Sequence, residues 1–131
     1  MLLIFPPKEL AKFDKSAVMR KGLMRGLKLG MFHAEGEAKK SFGQPGHIKS
    51  RSGHLRRSIN TDVKEWGKDI VGVIGSDVVY AAIHEFGGMA GRGRRVKIPA
   101  RPYLSPALRE NRITINRIIQ KEIDKAASGR I

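Results

Sequence analysis

The sequence predicts an α+β domain: a long N-terminal helix, a small antiparallel sheet of three to four strands, and a C-terminal helix. Three observations carry that expectation. Leu10, Ala17, Met24, Met31 and Ala38 recur every seven residues, and Phe13, Leu27 and Ala34 lie three residues after members of that series, an apolar stripe at helical spacing. Between residues 58 and 98, short runs alternate apolar and polar side chains and are separated by turn residues. After Ser105-Pro106, Ile115, Ile118, Ile119 and Ile123 return to a helical period. With 131 residues the chain has room for a single domain around one modest core.

The elements follow in order. Residues 1–5 are apolar but stop at Pro6, Pro7 and Lys8, too short for a signal segment or a membrane span, so residues 1–7 read as a short strand or docking arm. Pro7 suits the first turn of a helix running to residue 42. Arg20 and Ser41 interrupt the second apolar row, so this stripe addresses a core or a neighbour rather than a strict coiled-coil partner. Gly22, Gly26 and Gly30 form a second stripe along the same helix. Each costs a helix interior roughly 1 kcal/mol against alanine. That expense is expected to serve the close approach of another backbone, a neighbouring subunit, unless it only marks a bend. Lys21, Arg25 and Lys28 rule out the membrane version of such a motif.

Residues 43–53 are a Gly/Pro/Ser-rich, purely basic loop. Residues 55–59 read as a turn of helix or the lead into a strand. Ile59, Thr61 and Val63 share one strand face; Gly67-Lys68-Asp69 suits a hairpin turn, and Ile70 then opposes Val71 and Val73. Residues 78–86 begin like a strand and end as one helical turn closed by Gly87, and Val96-Lys97-Ile98 is a short return strand. Ser105 reads as the N-cap of the last helix, with Pro106 at its first position and its end near Ala127.

Charge is the other large feature. The net charge is +14, and it is uneven: +9 over residues 1–57, −3 over 58–91 and +8 over 92–131. Residues 38–61 and 86–109 contain no acid at all. Such patterning builds a single-sign surface that attracts phosphate or an acidic protein. The Gly/Arg-rich loop at 87–97 is expected to be mobile, with Arg92, Arg94, Arg95 and Lys97 contacting a partner. Only Phe86 and Tyr103 flank it as stacking aromatics, so any DNA contact is expected to be backbone-directed and independent of sequence.

Catalytic chemistry finds little footing. There is no cysteine, hence no disulfide and no thiol chemistry, which suits a reducing cytoplasm. His84-Glu85 lacks the second histidine of a zinc-protease pattern, since Gly88 stands there. His33, His47 and His54 have no spaced carboxylates, and Ser52, Ser58 and Ser105 lack a nucleophile-elbow context. No catalytic residue, metal or cofactor is expected, and no membrane partner. Glu85, in an apolar run, reads as a structural acid that either accepts backbone hydrogen bonds or pairs with Arg101.

Tyr80 to Gly87 reads YAAIHEFG, residues 98–108 read IPARPYLSPAL, and residues 52–59 read SGHLRRSI. In that order and spacing, these segments resemble the phage virion-morphogenesis proteins of the neck and tail-completion (head–tail joining) group. The matching positions are Gly53, Leu55, Ser58, Tyr80, Glu85, Gly87, Pro99, Arg101, Pro102 and Tyr103. The resemblance covers most of the chain, although the N-terminal region carries no motif. It implies a structural virion protein of a tailed phage and no enzyme. It implies a homo-oligomeric ring, a hexamer, between head and tail, touching neighbouring neck and tail proteins. It places the chain in the virion neck or tail, and in the host cytoplasm during assembly. The charge alone leaves open an alternative, a small basic non-specific DNA-binding protein.

Overall fold

The computed structural model describes residues 2–6, 17–43, 53–66, 69–90, 93 and 96–129. Strand β1 (Leu2–Phe5) precedes helix α1 (Ala17–Lys40); α2 (His54–Ser58), β2 (Asn60–Trp66) and β3 (Asp69–Gly75) follow. Then come α3 (Ala81–Phe86), β4 (Gly88–Ala90), β5 (Val96–Ile98), α4 (Ser105–Glu110) and α5 (Arg112–Ala127). The architecture is α+β, as the periodicities predict.

The sheet has the order β1-β3-β2 and is antiparallel throughout. Its register sets Phe5 and Val63 on either side of Gly72, and Leu3 and Thr61 on either side of Ile74. Paired residues share a face, so this row, with Ile70, is the face on which α1 lies. Gly72 leaves room for a helix side chain: a Cβ built there would stand 2.5 Å from the Met31 Cγ. β3 is the central strand and is buried from Ile70 to Gly75 on both faces, which fits its β-branched run Ile-Val-Gly-Val-Ile.

From Leu27 onward the expected heptad face of α1 is the core face, while Met24 is half-buried and Ala17, in the first turn, is exposed. Leu27, Met31, Ala34 and Ala38 are fully buried against Ile74, Leu104, Ile115 and Ile119. Leu10 and Phe13 lie outside the described residues.

The glycine stripe requires a correction. Gly22 and Gly26 do meet another backbone, and Gly30 an isoleucine side chain, but all of it belongs to α5 of the same chain rather than to a neighbouring subunit. A Cβ on Gly22 would stand 2.8 Å from the Ile123 Cα, and one on Gly26 2.6 Å from the Ile119 Cα. One on Gly30 would stand 2.7 Å from the Ile115 Cγ2. Partners descend along α5 as the glycines ascend along α1, so the two helices run antiparallel. Missing side chains on α1 make the groove into which the isoleucine ridge of α5 settles.

Three local expectations also change. Residues 76–80 form no strand; they turn directly into α3, with the Ala81 N–H bonded to the Val78 carbonyl at 3.1 Å. Gly88–Ala90, expected within the loop, pairs with β5 as a two-stranded ladder. The last helix is two helices, broken at Asn111 (φ −105°, ψ 10°), whose side-chain amide donates to the Ala107 carbonyl at 2.9 Å and satisfies an acceptor freed by the break. No described helix is long and apolar enough to cross a membrane.

Candidate interaction surface

Most of the motif residues form a scaffold that aims the β4–β5 hairpin. Its centre is Glu85, which is 2% exposed. Its Oε2 accepts the N–H groups of Tyr103 at 2.8 Å and Leu104 at 2.9 Å. Its Oε1 accepts the Ser105 N–H at 2.8 Å and the Ser105 hydroxyl. Those N–H groups stand at the entry to α4, where a helix leaves donors without internal partners. A carboxylate can accept about four such bonds, so Glu85 is saturated. Its negative charge also lies at the favourable end of the helix dipole.

Glu85 is therefore a structural acid, and of the two partners expected for it the backbone is the one it takes. Arg101 serves through its main chain instead, its N–H donating to the His84 carbonyl at 2.8 Å, while its side chain is exposed. Ser105 is likewise not the N-cap, which falls on Leu104; its hydroxyl turns to Glu85, so the cap of α4 is supplied from a distant part of the chain.

Tyr103 closes the same cluster from the other side. Its phenol donates to the Ala81 carbonyl at 3.0 Å, and its ring meets Phe42 edge-on at 5.4 Å. Burial, and then the charge of Glu85, push its pKa well above the usual tyrosine range, so it remains a donor. Gly87 ends α3 and admits no side chain: φ is 74°, and a Cβ would stand 2.9 Å from the Ala100 nitrogen. Pro99 and Pro102 are exposed and stiffen the return strand on its way to α4. Tyr80 lies outside the cluster, exposed, with its ring edge-on to His84 at 5.7 Å.

Gly53, Leu55 and Ser58 belong to a second cluster. Gly53 starts α2 in the left-handed region at φ 74°, and Leu55 is buried in the core. The Ser58 hydroxyl donates to the Leu55 carbonyl at 2.6 Å and stands 2.6 Å from the Ser76 hydroxyl. A hydroxyl has one proton, so the Ser58–Ser76 bond takes its proton from Ser76. Ser76 in turn accepts the Val78 N–H at 3.1 Å. This relay ties α2 to the end of β3. Ser76 carried no signal in the sequence, because its partner lies across the sheet end.

What the scaffold presents is the hairpin. Phe86, Met89 and Val96 are each about half exposed or more, at 61%, 49% and 55%, and Lys97 is exposed beside them. Arg92, Arg94 and Arg95 lie outside the described residues. Met89 shares its face of the ribbon with Lys97, and Val96 lies on the other face; these exposed apolar side chains were not foreseen from the sequence, where the interest of the loop lay in its charge. Among the described residues, no group of three or more His, Cys, Asp or Glu could hold a metal ion.

Comparison with known proteins agrees with the motifs. The chain is 66% identical over 32 residues to "Mu-like prophage FluMu G protein 2" of Haemophilus influenzae, covering 24% of this chain and 23% of that protein. It is 46% identical over 61 residues to "Putative capsid assembly protein G" of Escherichia phage Mu, covering 46% and 36%. It is 32% identical over 73 residues to an uncharacterized protein of Methanocaldococcus jannaschii, covering 56% and 50%. The chain thus spans a quarter to half of the length of these relatives. No solved structure matches it. The profile of the phage virion morphogenesis family matches residues 32–124, which run from the middle of α1 almost to the end of α5 and include every motif residue. The chain belongs to the phage virion morphogenesis family, whose proteins serve virion structure or assembly.

Proposed function

We propose that this protein is a neck or tail-completion subunit of a tailed phage, one that forms a homo-oligomeric ring, a hexamer, joining head to tail. The supporting observation is how the motif residues are used. Glu85, Tyr103 and Gly87 are consumed in holding the hairpin, and Pro99 and Pro102 stiffen its return. The product of this scaffold is an exposed hairpin, with Phe86 at its base, Met89 and Lys97 on one face and Val96 on the other. A surface of that kind works by docking rather than by turnover. Its partners are neighbouring neck and tail proteins, and its place is the virion neck after assembly in the host cytoplasm. The name of the Mu relative, "Putative capsid assembly protein G", agrees with an assembly role. The test is electron microscopy of particles made without this chain. Separate heads and tails are expected, and intact virions at the usual yield overturn the reading.

The charge of +14 favours a second reading, non-specific contact with DNA. Neutralising phosphates releases counterions, so log K falls with log salt by about 0.9 per phosphate. Alanine at Arg92, Arg94 and Arg95 is expected to flatten that slope without changing preference among duplexes. A strong preference for one duplex promotes a DNA-binding role over the structural one.

A further inference from the structure

The two edges of the sheet differ, and they match each other. Among the described residues, β1 and β2 each pair with β3 alone, so each keeps one open edge. Strand β1, Leu2-Leu3-Ile4-Phe5, is short but carries no charge and no proline within it, and Leu2 and Ile4 are exposed. A groove of about 510 Å³ runs beside it. The strand forms one wall; Leu108 and Arg109 of α4 and Arg112 of α5 form the other. Among the described residues no acidic side chain lines this groove, and neither arginine is ion-paired to a described carboxylate. Strand β2, at the opposite edge, lies in the acidic middle of the chain, which carries −3 over residues 58–91. It presents Thr61, Val63 and Glu65 on the helix-covered face.

We propose that β2 of a second copy adds to the open edge of β1, so that the sheet continues from subunit to subunit. A copy related by rotation about a ring axis keeps the helix-covered face on the same side. Val63 of the incoming strand then meets Leu108, and Glu65 meets Arg109 and Arg112. Among the described residues of its own chain Glu65 holds only Arg20, an exposed pair of the kind worth little, so the exchange is open to it. Main-chain hydrogen bonds supply affinity and these side chains supply register. Two different edges make a head-to-tail contact, which closes into a ring when the rotation permits. This contact rests on the ring reading and supplies the subunit interface that the glycine stripe does not.

The chain has no cysteine, so single cysteines test the contact cleanly. Ile4→Cys and Asp62→Cys proteins of different length are mixed and treated with a short bismaleimide. Both positions pair with Val73, on the sheet face away from α1. With one cysteine per chain, no intramolecular link can form. The expected result is a mixed dimer several-fold more abundant than either homodimer, suppressed several-fold when the Ile4→Cys protein also carries Arg109→Glu and Arg112→Glu. Homodimers in excess, no mixed product, or a mixed product indifferent to those two charges overturns the contact. Rings seen without the mixed link reject this contact and keep the ring. A mixed link with neither rings nor ring-sized mass keeps the contact and rejects the ring.

Discussion

Helices α1 and α5 meet through glycine against isoleucine, whereas α3 meets the start of α4 through one carboxylate against four donors. The first contact is steric. It works because atoms are missing, and it fails when one is added. The second is electrostatic. It works because a buried acid satisfies N–H groups that have no other partner, and it fails when that acid is removed. A glycine seam therefore punishes the smallest enlargement, while the Glu85 cluster punishes the loss of chemistry at constant shape. The same domain thus contains two kinds of fragility, which substitution can separate.

The largest effect is expected at Glu85. Glu85→Ala strands three main-chain N–H groups and a hydroxyl in a buried site, each costing about 1–3 kcal/mol, for a total loss of about 4 kcal/mol. Glu85→Gln keeps the shape but turns an amide NH2 toward donors, and is expected to lose about 2 kcal/mol. Urea unfolding with the slope held constant measures both. If the glutamine variant matches the wild type, the cluster is steric after all and the contrast collapses.

Gly26→Ala comes next. The new methyl would overlap the Ile119 Cα at 2.6 Å, and backbone cannot swing aside as a side-chain tip can. Overpacking costs about 1–3 kcal/mol and alanine recovers up to about 1 through helix propensity, so a net loss of about 1–2 kcal/mol is expected. Gly36 lies on the same helix with nothing within 4 Å of its would-be Cβ. Gly36→Ala is therefore expected to stabilise by up to about 1 kcal/mol. Equal effects at the two sites, read from thermal midpoints, would show that propensity rather than packing governs the seam.

These two contacts also mark how far the sequence could be read. The core face of α1 was legible because periodicity is local: Leu27, Met31, Ala34 and Ala38 repeat with the turn of the helix, whatever they pack against. The glycine spacing showed which face needs room. It could not show whose backbone fills that room, because the partner isoleucines are about ninety residues away and look like ordinary core residues. Glu85 could be read as structural from its apolar surroundings. The expectation of Arg101 as a partner failed because side-chain patterns do not display main-chain N–H groups, and those are what the carboxylate binds. The break at Asn111 was invisible for a similar reason, since the isoleucine period runs on through α5 and only the amide bond to Ala107 marks the kink.

Tyr103→Phe probes the rim of the polar cluster. It keeps the edge contact with Phe42 and removes the donor to the Ala81 carbonyl. The expected loss is about 1 kcal/mol, smaller than for Glu85 because a carbonyl loses one bond rather than a set of donors losing all of theirs. A loss as large as that of Glu85→Ala would mean that the phenol, and not the carboxylate, organises the junction.

The smallest effect is a pH dependence at the edge of the glycine seam, where the two kinds of contact meet. Glu122 is buried beside Gly22 on α5, and it accepts the Arg25 Nε–H at 3.0 Å and the Lys125 ammonium at 3.2 Å. Burial alone would raise its pKa, but Lys125 and Arg25 outweigh it and hold the carboxyl below the ordinary 4.5. A carboxyl whose folded pKa is depressed contributes stability above its unfolded pKa and loses it as pH falls through the folded value. Thermal stability is therefore expected to decline as pH drops below about 4.5, and Glu122→Gln is expected to flatten that decline while lowering the midpoint at neutral pH. Midpoints measured from pH 7 to pH 3 decide it: the two curves should converge toward acid. Parallel curves would mean that the seam is held by its glycines alone, with the charges at its border only decorating it.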